Sequence, residues 1–367
     1  MASESSRVLV INPGTTSTKL GIYTHEGAEW ERTITHGDEE LARFSGQPML
    51  ARLDYRAELI ERALADAGYK STLFAAVAGR GGLLRPMTCG TYLVDEDMLE
   101  ELRLARQGEH ASNLGAFLAL RFAQAAGVNA YIVDPVTVDE WQDCARLSGS
   151  PYVSRVCIAH ALNIKAVARR FARQQGKQYE SLRLIIVHLG SGITVSAHRD
   201  GRMIDNNSID EGPFGPDRSG SLPVKALANL CFDGRFTQTQ MVRHLFGDGG
   251  MFAYLGTRDL KEVERRIAAG NAEAAQVFEA MVYQIAKEAG AMTAVLQGKV
   301  DCVLLTGGMA HSERIVKRLM EYIDWIAPIV VYPGENELQA LAEGAFRVLD
   351  EEEQAKTLGT LSLQRRP

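Results

Sequence analysis

Long apolar runs are missing from this sequence. No stretch of 18 uncharged apolar residues occurs in its 367 positions, so a membrane-spanning helix is not expected. The opening residues, up to Arg7, are polar and lack the apolar middle of a secretory signal. Cysteine is sparse. Cys89, Cys144, Cys157, Cys231 and Cys302 are odd in number, scattered and without a CxxC pair. That argues against a disulfide framework or a zinc site. It suits free thiols, packed as small apolar residues, in a reducing cytoplasm. An excess of positive charge is absent too. The 40 Lys and Arg against 46 Asp and Glu leave −6, the wrong sign for a nucleic-acid partner.

Familiar signatures are also lacking. Gly14 to Lys19 gives G-x-x-x-x-K without the second glycine of a P-loop. No GxGxxG follows a strand, and HExxH, GxSxG and the protein-kinase HRD and DFG motifs are absent.

What is present is an ordinary globular composition, 46% apolar and 23% charged, at a length that suggests two domains. Val8 to Tyr23 reads as strand, polar turn, strand. Between Ile11 and Leu20 lie Asn12, Pro13, Gly14, four hydroxyl residues and Lys19. Such a turn offers N–H groups, hydroxyls and a positive charge to an anion. Leu184 to Ala197 repeats the plan around Gly190-Ser191-Gly192, and a tight turn with a third strand follows each copy. Two phosphate hairpins in a duplicated α/β fold are the expectation.

The rest of the chain reads as alternating helices and strands. Helices are expected at 49–67, 112–126, 161–175, 223–231, 237–246, 257–269, 271–297, 312–324 and 336–350, with a polar, frayed tail from Glu351. The helix at 271–297 suits either an interface or the interior. A strand at 73–77 runs into Gly79-Arg80-Gly81-Gly82, where three glycines imply close backbone approach beside a fixed cation. A strand at 302–305 leads into Thr306-Gly307-Gly308-Met309, a turn against which a flat ligand such as adenosine can lie.

This combination resembles the superfamily of acetate and sugar kinases, heat-shock chaperones and actin. Closer likeness to the acetate kinase family lies in Val10-Ile11-Asn12-Pro13-Gly14, His188-Leu189-Gly190-Ser191-Gly192, Arg218-Ser219-Gly220, Thr306-Gly307-Gly308 and Pro333-Gly334-Glu335-Asn336-Glu337-Leu338. Within it, Asn12 to Lys19, Gly79 to Leu83, Val133 to Val136 and Asp210 to Pro216 are most similar to the butyrate kinases. The likeness spans essentially the whole chain. It implies two duplicated actin-like, ribonuclease H-like α/β domains with an active-site cleft between them. Residues 1–150 completed by 335–367 would form the first domain and 151–334 the second, in a homodimer or higher oligomer.

The implied reaction is reversible transfer of phosphate from ATP, with Mg2+, to a short-chain fatty acid such as butyrate or a branched analogue, giving acyl phosphate and ADP. A carboxylic acid with a pKa of about 4–5 is already an anion at neutral pH. The task is then to bring two anions together, by positioning and charge neutralisation. The resemblance assigns Arg218 and Arg80 to substrate and phosphoryl group, Asp134 to catalysis through the metal, and His160 to the phosphoryl in flight. The family pattern carries a second histidine after His160 that this chain lacks. His188, Gly190, Ser191 and Gly192 would face phosphates, as would Gly14, Thr15 and Lys19, though Lys19 equally suits a strand edge. Gly307, Gly308 and Met309 would face adenosine. Asn12 and Glu337 would serve phosphate and metal, with Glu335 an alternative to Glu337. Acetate or propionate kinase, or a non-catalytic actin-like ATP switch, are the competing expectations.

Overall fold

In the computed structural model, residues 6–70 and 73–359 are described. β1 (Val8–Pro13) is buried along its length, and β2 (Ser17–Thr24) returns antiparallel with Asn12 opposite Lys19 and Pro13 opposite Thr18. β3 (Gly27–Thr35) completes a meander. After the short α1 (Asp38–Ala42), α2 (Leu53–Asp66) buries Arg56, Ala57, Ile60, Ala63 and Leu64. β4 (Ala76–Arg80) pairs parallel to β1. β5 (Thr91–Leu93), α3 (Glu96–Leu104), α4 (Leu114–Ala126) and β6 (Asn129–Val133) follow. Asp95 caps α3 by accepting from the Met98 N–H at 2.9 Å, and Gly127, at φ 69°, ends α4.

The second half begins with α5 (Ala161–Gln174) and a second meander, β7 (Leu184–Leu189), β8 (Ile193–Arg199) and β9 (Arg202–Asn206). Five helices come next: α6 (Val224–Phe232), α7 (Gln238–Leu245), α8 (Gly250–Leu255), α9 (Leu260–Ala268) and α10 (Ala272–Val295). β10 (Cys302–Gly307), α11 (Glu313–Ile323), β11 (Ile329–Pro333) and α12 (Glu337–Leu349) complete the order.

The duplication expected from the two hairpins is present in the sheets. One runs β3-β2-β1-β4-β6 with β5 added at its edge, the other β9-β8-β7-β10-β11. Each is an antiparallel meander joined to two parallel strands in the same order, the actin-like α/β architecture. The chain divides into two compact units. One comprises Met1–Asp139, Ala161–Asn163 and Asn336–Pro367, the other Glu140–His160 and Ile164–Glu335. The first has its core under β1, β2, β4 and β6. The second packs β7, β8 and β10 against α10 and α11.

α12 belongs to the first unit although it comes after the whole of the second. Its Gly344 lies so close to β6 that a Cβ there would stand 2.4 Å from Val133 Cγ2. The Gly344 carbonyl accepts from Thr91 Oγ1 at 3.0 Å. This packing fixes where the first residue of the helix, Glu337, is held.

Several expectations need correction. The cysteines do not all behave as core residues, because Cys144 and Cys231 are exposed and Cys89 is half-buried, while Cys157 and Cys302 are buried. The segment after Glu351 is not frayed as far as it is described. Lys356 pairs with the β5 backbone and Leu358 is fully buried; residues 360–367 lie outside the described residues. The helix around 271–297 turns Val277, Phe278, Met281, Val282 and Ile285 of α10 into the second core and leaves Tyr283 half exposed on its other face. Lys19 is not at a sheet edge, because β2 lies between β1 and β3.

Candidate active site

In the first unit, three parallel strands end side by side. Ile11, Gly79 and Ile132 are in register, so Asn12, Arg80 and Val133 form one row at the carboxyl ends of β1, β4 and β6. Ligands of α/β sheets bind at such ends. Asn12 and Arg80 converge on Glu337. The Asn12 amide donates to Glu337 Oε2 at 2.7 Å, and Arg80 Nη1 donates to Oε1. Lys19 stands directly across from Asn12 on the neighbouring strand, and directly opposed residues share a sheet face. Its side chain is exposed.

The glycines around Arg80 provide the close approach expected of them. A Cβ at Gly79 would stand 2.2 Å from the Gly115 carbonyl, one at Gly81 2.6 Å from Pro135 Cβ, and one at Gly82 2.6 Å from Asn113 Cα. Backbone therefore packs on backbone at the start of α4, and Arg80 emerges from a fixed thread. Glu101 accepts from the Arg85 backbone and side chain, and Asn113 Oδ1 accepts from the Leu83 N–H at 2.9 Å, so the loop beyond Arg80 is held as well.

Asp134 directly follows β6 and is buried, at φ 39°. Left-handed backbone is uncommon outside glycine. One reason it persists here is a reciprocal clamp. Asp134 Oδ1 accepts from the Gly90 N–H at 2.7 Å, and the Asp134 N–H donates to the Gly90 carbonyl at 3.0 Å. One carboxylate oxygen thus holds the backbone of the neighbouring turn.

In the second unit, the hairpin turn Gly190-Ser191-Gly192 is ringed by charged and polar side chains. His188 and His160 stack with ring centroids 3.9 Å apart and 15° between planes. His160 Nδ1 lies 2.9 Å from Thr194 Oγ1, and His188 Nε2 lies 3.1 Å from Glu335 Oε1. The Arg218 guanidinium covers Gly192, where a Cβ would stand 2.4 Å from Nη1. The carboxylate nearest to Arg218 is Asp217, at 3.9 Å. Burial pulls the Arg218 pKa down and pushes the Asp217 carboxyl up, against the pull of Arg218 and Arg258.

The third turn starts at Gly307, which has φ 93°. A Cβ there would meet the Leu189 backbone at 2.4 Å. Gly308 has nothing within 4 Å of the place a Cβ would take, which leaves one side of the turn open. Met309 packs partly against the second core. Gly307 and His188 lie at the ends of adjacent parallel strands, so turn and hairpin share one end of the second sheet.

A model described as the acetokinase family matches residues 152–344, more than half of the chain.

The chain belongs to the acetokinase family.

Members of this family are carboxylate kinases that use ATP and a divalent metal, generally Mg2+, on short-chain carboxylates. Among solved structures, the chain resembles the acetate kinase of Porphyromonas gingivalis with a TM-score of 0.78 and 18% identity, covering 94% of this chain and 100% of that one. For the Entamoeba histolytica acetate kinase the values are 0.77, 15%, 94% and 100%. For a propionate kinase from Francisella tularensis they are 0.71, 17%, 92% and 98%. At these identities the likeness establishes the fold. Among the described residues no helix is long and apolar enough to cross a membrane.

Among the described residues, no group of three or more His, Cys, Asp or Glu side chains is arranged to hold a metal ion. Glu337, whose two oxygens accept from the Asn12 amide nitrogen and from Arg80, and the amide oxygen of Asn12 offer few and hard oxygen donors. That set suits Mg2+, which keeps much of its shell as water and substrate phosphate. The two acids flanking Asn336 have different partners. Glu337 meets Asn12 and Arg80, and Glu335 meets His188.

Sequence reasoning missed Arg56, His110 and Glu101. His110 caps the short turn at 111–113, and burial and the Arg80 charge lower its pKa. Arg56 occupies a buried position of the α2 stripe, three residues after Leu53 and four before Ile60. A charged residue on an otherwise apolar face was the signal available.

Proposed function

We propose that this acetokinase-family enzyme phosphorylates butyrate or a branched short-chain acid, reversibly and by direct in-line transfer from ATP. The observation that carries the reading is the Gly190–Gly192 turn with His160, His188 and Arg218 around it. Such a cradle suits the charge of a phosphoryl group, and a carboxylate nucleophile needs no base to activate it. Arg218, fork-shaped and short of a close carboxylate, suits the transferring group or the acceptor carboxylate. Arg80 serves the acceptor, and Asn12, Gly14, Thr15 and Lys19 serve the nucleotide phosphates. Gly307, Gly308 and Met309 serve its adenosine. Mg2+ would be held by Glu337 and Asn12 and would neutralise phosphate charge. Asp134, one residue beyond the row of Asn12, Arg80 and Val133, serves catalysis through the metal.

The division into 1–150 with 335–367 and 151–334 is part of this proposal, as is a cytoplasmic setting. Self-association is a further part. α6 buries none of its residues and exposes Val224 at 81% and Phe232 at 90%, and large exposed apolar patches commonly mark interfaces. Butyrate rather than acetate or propionate rests on the motifs at 12–19, 79–83, 133–136 and 210–216. One methylene changes binding by only about 1–3 kcal/mol, so measurement must decide.

The test is acyl hydroxamate formation with ATP and Mg2+ on acetate, propionate, butyrate and isobutyrate, together with Arg218→Ala. Turnover that is highest on butyrate or isobutyrate and falls by about 10²-fold or more in R218A is expected. No hydroxamate with any acid would leave the ATP switch as the better reading.

A further inference from the structure

The largest charge beneath the first hairpin belongs to none of the residues discussed so far as binding groups. Arg56, in the first turn of α2, is fully buried. Its Nη2 donates to the carbonyls of Gly14 at 2.7 Å and Thr15 at 3.3 Å, and its Nη1 to Thr18 Oγ1 at 3.0 Å and the Ser17 carbonyl at 3.4 Å. Its Nε is buried without a hydrogen-bond partner. No carboxylate among the described residues pairs with it, and Arg52, one helical turn away, adds charge of the same sign. A buried ion without a counter-ion is costly.

The grip has a directional consequence. In a planar trans peptide the C=O and the following N–H point opposite ways. Arg56 takes the carbonyls of Gly14 and Thr15, so the N–H groups of Thr15 and Thr16 point away from it. Both threonines are exposed. The Thr16 carbonyl is taken in turn by the His36 N–H at 2.9 Å. Successive peptides are thereby held carbonyl-inward and N–H-outward, the arrangement of an anion-binding nest.

We infer that Arg56 is the positioning residue of the 14–17 turn, and that its missing counter-charge is the polyphosphate of the nucleotide bound on the outer side. This rests on the kinase reading for the identity of that anion. The chain contributes the cation from below and the oriented amides from above. Phosphate binding to the turn therefore neutralises a charge that the fold leaves uncompensated.

Inorganic tripolyphosphate is the probe, measured by calorimetry on the full chain, with Michaelis constants for ATP and acid. Arg56→Met is expected to weaken tripolyphosphate binding and raise the ATP KM by about tenfold or more, leaving the KM for the acid within about twofold. Arg56→Lys, which restores the charge, should recover most of the loss. A folded R56M that binds like the native chain, or an R56K as weak as R56M, overturns the inference. Should R56M not fold, the amide resonances of Thr15 and Thr16 in the native chain decide. They shift on adding tripolyphosphate if the inference holds and stay fixed if it fails. A chain that makes no hydroxamate yet binds tripolyphosphate through Arg56 would refute the kinase reading alone. Kinase activity with an unchanged ATP KM in R56M would refute this inference alone.

Discussion

Asn12 and Glu337 are 325 positions apart in the chain, yet the Asn12 amide donates to the Glu337 carboxylate at 2.7 Å. The other oxygen of the same carboxylate takes Arg80. One acid at the first residue of α12 therefore orients two side chains at the ends of two different strands.

Glu337→Gln keeps the size and one acceptor oxygen but removes the charge facing Arg80. Activity should fall by about tenfold or more, with a higher Mg2+ requirement. The side chains of Arg80 and Glu337 are only 11% and 21% exposed, so the melt should fall as well, but by less than for a fully buried pair. Steady-state kinetics against Mg2+ and a thermal melt separate the two. A melting loss as large as the activity loss would make the contact structural.

Two glycine replacements should act in opposite ways. In Gly192→Ala the new methyl meets the far end of a flexible arginine, so Arg218 is displaced and activity is lost while stability is kept. In Gly307→Ala the methyl meets Leu189 backbone at 2.4 Å with φ at 93°, a strain of about 1–3 kcal/mol or more. Chemical denaturation and turnover measured on both variants would show the contrast.

Acid should destabilise the first unit through His36. Burial, with Arg56 next, holds its pKa down at about 4 from the usual 6.5. The folded state thus prefers the neutral ring. The stabilisation is complete above pH 6.5 and is lost as pH falls towards 4. His36→Gln, which can still reach the Thr18 hydroxyl that His36 meets at 2.9 Å, should flatten the decline of melting temperature over that window. An unchanged slope would assign the acid sensitivity elsewhere, for instance to buried His198, whose pKa is also lowered.

The second unit contains a buried ion pair, Lys165 Nζ to Glu140 Oε2 at 2.5 Å, with Lys165 also bonded to the Gly201 carbonyl. Lys165→Met should cost about 3–5 kcal/mol in urea unfolding, because it strands the carboxylate. Pairing it with Glu140→Leu should recover much of the loss. If the double variant is no better than the single one, the other bonds of Glu140, such as the one it accepts from the Met203 N–H, outweigh the charge.

The strands and their duplication were legible because both hairpins are short, β-branched runs around polar turns, a pattern that local chemistry enforces. The glycines around Arg80 were legible for a similar reason, since a glycine cluster has few uses other than close approach. Arg56 was marked only by its place on an otherwise apolar face, and its role was not legible. Its burial depends on α2 packing under a turn about 40 residues earlier, and sequence periodicity marked the stripe as apolar. The return of the last helix to the first unit came from the family resemblance and not from local pattern, and that Glu337 takes both Asn12 and Arg80 was not legible at all. The exposure of Cys144 and Cys231 and the order of the segment after Glu351 were misread because composition does not say which surface a segment meets.

The position of α12 also bears on how the molecule is made. Ribosomes deliver residues 1–139 long before residue 336 exists. At about 5–20 residues per second the interval is about 10–40 s. Throughout it Asn12 and Arg80 have no Glu337, and the crevice beside β6 that Gly344 fills stays open. The first unit is therefore a nascent fragment with an uncovered face until α12 has been made. Chaperone occupancy on stalled ribosomes should persist past the synthesis of the second unit and end when α12 emerges.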